Sequence, residues 1–425
     1  MVEKVSKRKR PPLAVVCNKL PVTQLSILIL TPQLPYPAHQ GTTLRNLHII
    51  KGLAQQHQVT LLSFIEREVD TFGELADLCH EIVTVPVPER STGLRLWQMA
   101  STRLPDMAHR LHSLAFDLAL DALLAENEFD IVQIEGIELA RSIEIVHDVS
   151  PNSRIVFDDH NAETELQRRA MQTDLRDPRR WVAAAYSSVQ VQRLARFERW
   201  ACEQSDAVVA VSDSDKVALE ALGVVAEKLS VIPNCLDTRL YQQYEGAVEN
   251  FDLVFMGKMD YRPNIDAVLW FADVIWPLIR AQHPNATCAI VGQKPHARLE
   301  RIRAVDGITL TGWVESVQPY LHGATVFIMP LRMGSGTRLK LIEAMAAGRA
   351  MVSTTIGAAG FPVTDQQELL IADTPEAFAA AVDRLLTDSV QAHSLQAAAQ
   401  KFATQYDWRV VTPAFDVIYQ TLIES

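Results

Sequence analysis

A short turn of small residues precedes a cation-bearing helix, and this pattern in the chain suits phosphate chemistry best. An apolar run over residues 326–329 ends at Pro330, and helical spacing continues to about Ala347. The small residues between them are Gly334, Ser335, Gly336 and Thr337. Free amides and a partial positive charge at a helix start favour anions, so we expect this turn to hold a diphosphate.

The charged residues of the same helix favour a nucleotide ligand. Arg338 and Lys340 fall in or near its first turn, where cations oppose the helix dipole unless an anion binds there. Glu343 lies three residues after Lys340 on a neighbouring face, and a carboxylate there can accept hydrogen bonds from a ribose diol. Gly348 is expected to cap the helix. The alternative is an amphipathic helix with solvated charges.

A second glycine turn follows another apolar run, at residues 255–264. Gly257 allows a close backbone turn, Lys258 can reach an anion, and Arg262 offers a planar fork for phosphate oxygens. An ordinary charged surface loop is the alternative. Together with the first glycine turn, these residues predict a site for a nucleoside diphosphate.

The first half of the chain offers two candidates for the opposite wall of such a site. Gly41 precedes a predicted helix over 42–53 and could approach a phosphate or a sugar, although an ordinary strand–helix loop has the same pattern. His160 follows the apolar run 155–157, so it would project from the carboxyl end of a strand, where ligands of doubly wound sheets bind. A structural histidine is the alternative.

Composition and charge exclude several classes of function. The net charge is −11, which disfavours nonspecific binding to nucleic acid. The five cysteines have no metal-ligand or redox spacing, and no apolar run is long enough to span a bilayer. We expect no secretory signal, because the apolar run over 13–17 that follows the basic residues is too short. We therefore expect a cytoplasmic enzyme with free thiols and no cofactor.

Two basic stretches suggest contact with an anionic surface. Residues 1–23 contain five Lys or Arg residues between positions 4 and 10 and are interpreted as a disordered basic tail. Residues 154–199 contain nine arginines and no lysine. Solvated or ion-paired charges explain both stretches. The alternatives are an anionic acceptor or a peripheral contact with the inner face of a membrane.

Short apolar runs alternate with helical patterns along the whole chain. Seven runs lie between residues 26 and 232, and six more lie between 253 and 371. Continuous apolar strands between helices indicate parallel sheets covered on both faces, and thirteen strands in one open sheet would be unusual. The sequence predicts two doubly wound Rossmann-like domains facing a cleft, over 24–237 and 238–408, followed by a segment over 409–425.

Taken together, these motifs resemble glycosyltransferase family 4, a group of retaining GT-B enzymes. The resemblance rests on Val-Ile-Pro-Asn-Cys-Leu-Asp at 231–237, Gly-Lys at 257–258, Gly-Trp-Val at 312–314 and the block 330–360. It implies a donor site in the second domain, an acceptor site in the first, no metal ion, and a last helix near 410–424 that returns to the first domain.

We expect the following roles within this framework. The amides of 334–337 hold the diphosphate of a UDP- or GDP-linked sugar, while one or more of four cations balances its charge. These cations are Lys258, Arg262, Arg338 and Lys340. Glu343 binds the ribose, whereas His160 and Gly41 line the acceptor side. Ser335 stands where the family often has the first of two glutamates. The acceptor would be a glycan, a lipid-linked sugar or a small molecule.

Two other functions remain open from the sequence. A nucleotide-sugar 2-epimerase would use the same fold and would release nucleotide and free sugar without an added acceptor. A noncatalytic nucleotide-binding protein would bind the donor without turnover. A dinucleotide oxidoreductase is disfavoured because no Gly-x-Gly-x-x-Gly opens either domain.

Overall fold

Two parallel sheets organise the chain. The computed structural model describes residues 23–38, 41–175, 181–334 and 336–424, except the side chains of 170, 173–174 and 182–185. The predicted tail up to residue 22, Ser335 and Cys17 lie outside these residues.

The first sheet has seven strands in the order β3-β2-β1-β4-β5-β6-β7, all parallel. Its strands are β1 (Ser26–Thr31), β2 (Gln58–Ile65), β3 (Glu81–Pro86), β4 (Ile131–Glu135), β5 (Arg154–Asp159), β6 (Ala207–Ala210) and β7 (Leu229–Val231).

The second sheet has six strands in the order β10-β9-β8-β11-β12-β13, also parallel. Its strands are β8 (Phe251–Met256), β9 (Cys288–Val291), β10 (Ile308–Gly312), β11 (Ala324–Met329), β12 (Ala350–Ser353) and β13 (Leu370–Ile371). The thirteen predicted strands and their division into two doubly wound sheets are confirmed.

Helices cover both sheets. They are α1 (Gly41–Leu53), α2 (Leu75–Leu78), α3 (Thr92–Ser101), α4 (Leu114–Glu126), α5 (Ser142–Val149), α6 (Glu163–Leu175), α7 (Trp181–Gln204), α8 (Asp213–Ala221), α9 (Arg239–Gln242), α10 (Arg262–Trp270), α11 (Trp276–Gln282), α12 (Gln318–Gly323), α13 (Leu339–Ala346), α14 (Thr355–Ala358), α15 (Pro375–Thr387), α16 (Ser389–Ala403), α17 (Trp408–Val411) and α18 (Pro413–Glu424). A π-helical turn over Phe271–Ile275 joins α10 to α11.

Burial explains why the apolar runs are strands. Ile27, Leu28, Ile29 and Leu30 of β1 are all buried, although alternate residues of a strand point to opposite faces. Even residues of this strand belong to one apolar cluster and odd residues to another, so helices cover both faces of the sheet. The second sheet shares one large core with its helices.

The chain crosses from the first sheet to the second between Val231 and Phe251, and the expected boundary at 237/238 falls within this stretch. Residues 238–250, between the last strand of the first sheet and the first strand of the second, contain the short helix α9. A distant contact helps fix the start of that helix, because both the amide and the hydroxyl of Thr238 donate to Asp407.

The last helix, α18, lies against the first sheet. Phe415 and Tyr419 are fully buried in one of the apolar clusters of the first domain. The Tyr419 hydroxyl donates to Gln133 on β4, and Asp416 accepts from His57 at 3.0 Å. The C-terminal residues therefore complete the core of the N-terminal domain.

Four cysteines of the described residues are free thiols, namely Cys79, Cys202, Cys235 and Cys288.

Within the described ranges, no helix combines the length and apolar character needed to cross a bilayer.

We expect Phe415→Ala to destabilise the first domain. Truncation of a buried phenylalanine costs about 3–5 kcal/mol, and this side chain is fully buried. Val417→Ala on the same helix is the control, because Val417 is exposed and the change should cost less than about 0.5 kcal/mol. Chemical denaturation followed by circular dichroism measures both. Equal midpoints for Phe415→Ala and the wild type would contradict this packing.

Candidate active site in the cleft between the two sheets

A cavity of about 1030 Å³ lies in the cleft between the two domains. It brings together most of the residues that the sequence singled out. From the first domain these are Gly41 and His160, and from the second they are Gly257, Lys258, Gly334, Gly336, Thr337, Arg338, Lys340 and Glu343. Their elements approach the cleft with the carboxyl ends of parallel strands, where ligands of doubly wound domains bind.

The glycine turn precedes the helix, as the sequence predicts. Gly334 and Gly336 have φ angles of 120° and 76°, and Arg338 has φ −105° and ψ 77°. None of these three residues is helical, so α13 begins at Leu339, with Arg338 as its N-cap and Lys340 in its first turn. A Cβ at Gly336 would lie 2.5 Å from Asn161 Oδ1 of the first domain. The φ angle of 76° also disfavours any residue with a side chain, so glycine suits this contact between the two domains.

Lys340 is the buried cation of the cavity. Its ammonium group donates to Asn264 Oδ1 at 2.8 Å and lies 4.7 Å from the centre of the Phe255 ring. Burial, with the charge of Arg338, lowers the pKa of Lys340 to about 7. A Cβ at Gly257 would lie 2.9 Å from Nζ of Lys340, so the glycine leaves room for this cation.

Arg338 lies beside Lys340 in the same wall. Its guanidinium group donates to the carbonyl of Gly336, and burial lowers its pKa below the ordinary value. Two basic groups with lowered pKa values therefore lie together in the wall next to the glycine loop, where a bound anion would favour their charged forms.

Glu343 lies one turn after Lys340 and is hydrogen-bonded to a residue that the sequence analysis missed. Its Oε1 accepts from the Tyr241 hydroxyl at 2.8 Å. Burial raises the pKa of Glu343, while Tyr241 and Lys340 oppose this increase. A carboxylate has further acceptor positions, so this contact is compatible with a second hydrogen-bond donor from a ligand.

The two cations of the other glycine turn are more exposed. Lys258 lines the cavity, and its Nζ lies 3.9 Å from Asp260. Arg262 is exposed at the first residue of α10 and does not line the cavity. Its role at the diphosphate therefore stays a prediction. Ser335, which also belongs to the predicted site, lies outside the described residues.

His160 belongs to a buried network of charges at the ends of β4 and β5. Its Nε2 lies 2.6 Å from Glu135 Oε2. Burial alone would lower the pKa of His160, but the hydrogen bond and charge of Glu135 raise it above the ordinary value. Arg45 donates to both oxygens of the neighbouring Asp158 at 2.8 and 3.0 Å. The first wall of the cavity therefore contains two ion pairs.

Within the described residues, one group has the spacing of metal ligands. Ligand atoms of Glu135, Asp158 and His160 lie within 4.8 Å of one another. However, Asp158 already accepts from the Arg45 guanidinium and Glu135 from His160. Protein cations therefore neutralise these carboxylates, and the arrangement fits a network of ion pairs better than a metal centre.

Some signals for the missed residues were present in the sequence. Asn264 is the last residue of the second glycine turn, and Glu135 directly follows a predicted strand. Arg45 gave no signal, because it lies inside a predicted helix and its partner is distant in sequence. Tyr241 lies in α9, between the two sheets, where the sequence presents no motif.

Two family models match the chain. The model for Glycosyltransferase Family 4 matches residues 40–240, and the model for Glycosyl transferases group 1 matches residues 250–388. The first match includes every strand of the first sheet except β1, and the second includes all six strands of the second sheet.

Curated relatives match over parts of their length. A phosphatidyl-myo-inositol mannosyltransferase of Mycolicibacterium smegmatis is 28% identical over 225 residues, which are 50% of this chain and 57% of that protein. An uncharacterised 44.6 kDa protein from the cps region of Klebsiella pneumoniae is 26% identical over 141 residues, 31% of this chain and 36% of that protein. The chain thus spans between about a third and three fifths of these relatives.

Solved structures match almost the whole chain. Sucrose-phosphate synthase from Thermosynechococcus elongatus has a TM-score of 0.69 at 17% identity and covers 94% of this chain and 99% of its own. Anabaena HepE, in complex with UDP and glucose, has a TM-score of 0.64 at 14% identity and covers 93% and 100%. These structures share the fold of two facing domains. With both halves of the chain matched by family models, this protein belongs to glycosyltransferase family 4 and has the GT-B fold.

Proposed function

We propose that the protein transfers a sugar from a nucleoside diphosphate donor to an acceptor, and that the second domain binds the donor. The main support is that Arg338, Lys340 and Glu343 follow the glycine turn and line the same wall of the cavity. Loop amides and cations suit a diphosphate, and the carboxylate suits a ribose. A cavity of about 1030 Å³ is at the upper end of the usual range for small-molecule sites.

The cations act on the leaving group. When the bond between the anomeric carbon and the diphosphate breaks, negative charge increases on the departing oxygen. Positive groups aimed at that oxygen stabilise this charge, most strongly where water is excluded. Lys340 and Arg338 supply these groups, so we also propose that transfer requires no metal ion. Retention of the anomeric configuration is proposed from the family alone.

His160 acts on the acceptor side. It extends from the end of β5 into the cavity, and Glu135 holds its Nε2 at 2.6 Å. This hydrogen bond orients the ring and keeps the imidazole protonated to higher pH, because the pKa of His160 is raised. A protonated ring can donate its other N–H to an acceptor or to the transferred sugar.

The comparisons favour certain substrates. UDP is present in the HepE structure, which supports UDP as the nucleotide. The mycobacterial relative is a phosphatidyl-myo-inositol mannosyltransferase, which supports a lipid-linked acceptor over a small molecule. An acceptor of this kind would bring the protein to a membrane surface.

A donor screen tests the proposed function. We expect release of nucleoside diphosphate from one nucleotide sugar, stimulated by a lipid-linked or glycan acceptor and unchanged in saturating EDTA. Loss of turnover with EDTA and its recovery with manganese would overturn metal independence. Formation of free sugar without acceptor would favour the epimerase.

His160→Ala should lower transfer strongly while nucleotide affinity stays nearly constant, because His160 belongs to the opposite domain.

Nucleotide binding should take up protons at Lys340. Burial lowers the pKa of Lys340 from its ordinary value of 10.5 to about 7. A bound diphosphate favours the charged amine and raises this pKa, so affinity should fall as the pH rises above about 7. Calorimetry with UDP in buffers of different ionisation enthalpy measures the proton uptake.

Two variants make this measurement specific. Lys340→Gln should abolish the proton uptake above pH 7. Lys258→Gln is the matched control, because it removes a more exposed lysine of the same cavity and should preserve the uptake. Equal proton uptake by the wild type and Lys340→Gln would show that another group titrates.

Glu343→Gln should weaken donor binding by about 10-fold or more. The change retains the shape of the side chain and removes the charge that strengthens hydrogen bonds to ribose hydroxyls, each worth about 1.5–3 kcal/mol. Tyr241→Phe is the control, because it removes the protein partner of Glu343 and leaves the carboxylate. Calorimetry with UDP and melting curves measure both. A large fall in Tm with unchanged affinity would make Glu343 a structural partner of Tyr241.

A further inference from the structure

The helix α3 has its apolar face towards solvent. At helical spacing i, i+3, i+4 and i+7, Gly93, Leu96, Trp97 and Ala100 form one stripe that carries no charge. Leu96 and Trp97 are 57% and 65% exposed, and Leu94 at the edge of the stripe is 41% exposed. Helices on the surface of a water-soluble domain normally have the opposite orientation, and none of the ten residues of α3 is buried.

Polar contacts hold α3 in this orientation. On the side facing the protein, Gln98 accepts from Arg90 at 2.9 Å, and the carbonyl of Met99 accepts from Arg193 at 2.9 Å. Arg95 pairs with Asp106 at 3.1 Å. These contacts join α3 to the residues before it, to the loop after it and to α7. The polar side of the helix therefore faces the protein, and the apolar stripe faces outward.

Two exposed arginines, Arg103 and Arg110, follow the helix. Residues 87–112 contain four arginines and two acidic residues, in a chain whose net charge is −11. Arg90 and Arg95 both pair with Asp106, and the exposed Arg110 lies 3.4 Å from Glu138. An interfacial helix combines exposed leucine and tryptophan with nearby cations, because the apolar side chains enter the headgroup region and the cations attract anionic lipid.

We propose that the stripe formed by Gly93, Leu96, Trp97 and Ala100 docks on an anionic lipid surface. The flanking arginines favour this partner over a neutral surface. A protein partner usually requires about 20–30 residues on each side, whereas this stripe offers two large apolar side chains, Leu96 and Trp97, with Leu94 at its edge. The exposed Trp181 and Val189 of α7, the helix that Tyr186 and Arg193 join to α3, extend the apolar character of this region.

The position of α3 gives docking a consequence for the cleft. The helix follows the carboxyl end of β3 in the chain. The carboxyl ends of the parallel strands are also the side of the sheet that faces the cavity. Docking would therefore bring the acceptor side of the cleft towards the bilayer. This consequence rests on the proposed function, whereas the docking itself does not.

Sedimentation with vesicles tests the docking. The full chain should bind vesicles of equimolar phosphatidylcholine and phosphatidylglycerol and should bind phosphatidylcholine alone only weakly. Leu96→Asp should lower the partition coefficient by about 10-fold or more. The reason is that a leucine that becomes buried on docking contributes at least the free energy that corresponds to a tenfold change in affinity. Val390→Asp on α16, at a position that is 80% exposed in the second domain, should change nothing. Arg103→Glu should weaken binding to the mixed vesicles.

Several outcomes would overturn the proposal. The proposal is wrong if the wild-type protein does not bind the mixed vesicles. It is also wrong if Leu96→Asp binds them as strongly as the wild type, a result that would assign the contact to the basic residues 4–10. Sedimentation velocity that shows a dimer lost in Leu96→Asp, without vesicle binding, would make the stripe an interface between copies. UDP affinity of Leu96→Asp, measured alongside, should equal that of the wild type, so failure of docking and failure of the proposed function remain distinguishable.

Discussion

The buried ion pair of Arg45 and Asp158 holds the elements of the cleft floor together. Neither side chain is exposed to water, so each charge depends on the other and on its hydrogen bonds. Arg45 also donates to the carbonyl of Pro233 and to Asn234, both in the stretch that leads to the second domain. Asp158 is adjacent to Glu135, which holds His160. One buried guanidinium therefore fixes a helix, a strand and the interdomain connection.

Contacts from this ion pair and its neighbours reach the glycine turn of the second domain and the last helix of the chain. Asn234 donates to the Thr337 hydroxyl in the glycine loop of the second domain. On the other side, Gln133 of β4 donates to Glu135 and accepts from Tyr419 of the last helix. Side chains far apart in sequence thus form a continuous polar network. The C-terminal helix belongs to the first domain because its tyrosine completes this network and its phenylalanine completes the core.

The two walls of the cleft differ in how their charges are balanced. In the first wall, each cation faces a carboxylate of the protein itself. In the second wall, Lys340 donates to a neutral amide, Asn264, and the charge of Glu343 offsets only part of the effect of burial and of Arg338, so the pKa of this lysine is lowered to about 7. Burying a cation that is only partly compensated is costly. An anionic ligand would restore the balance, which explains why a stable fold can retain this arrangement.

The sequence by itself determined both sheets, because a parallel strand covered on two faces must be apolar throughout and strands such as β1 (Ser26–Thr31) carry that signal locally. It also indicated Gly257 and Lys340, since glycine turns after strands and cations at a helix start are local patterns. Only the tertiary structure decided that Tyr241 contacts Glu343 and that Arg45 binds a strand more than a hundred residues away. These contacts join segments distant in sequence, and each partner is an ordinary polar residue until the fold removes it from water.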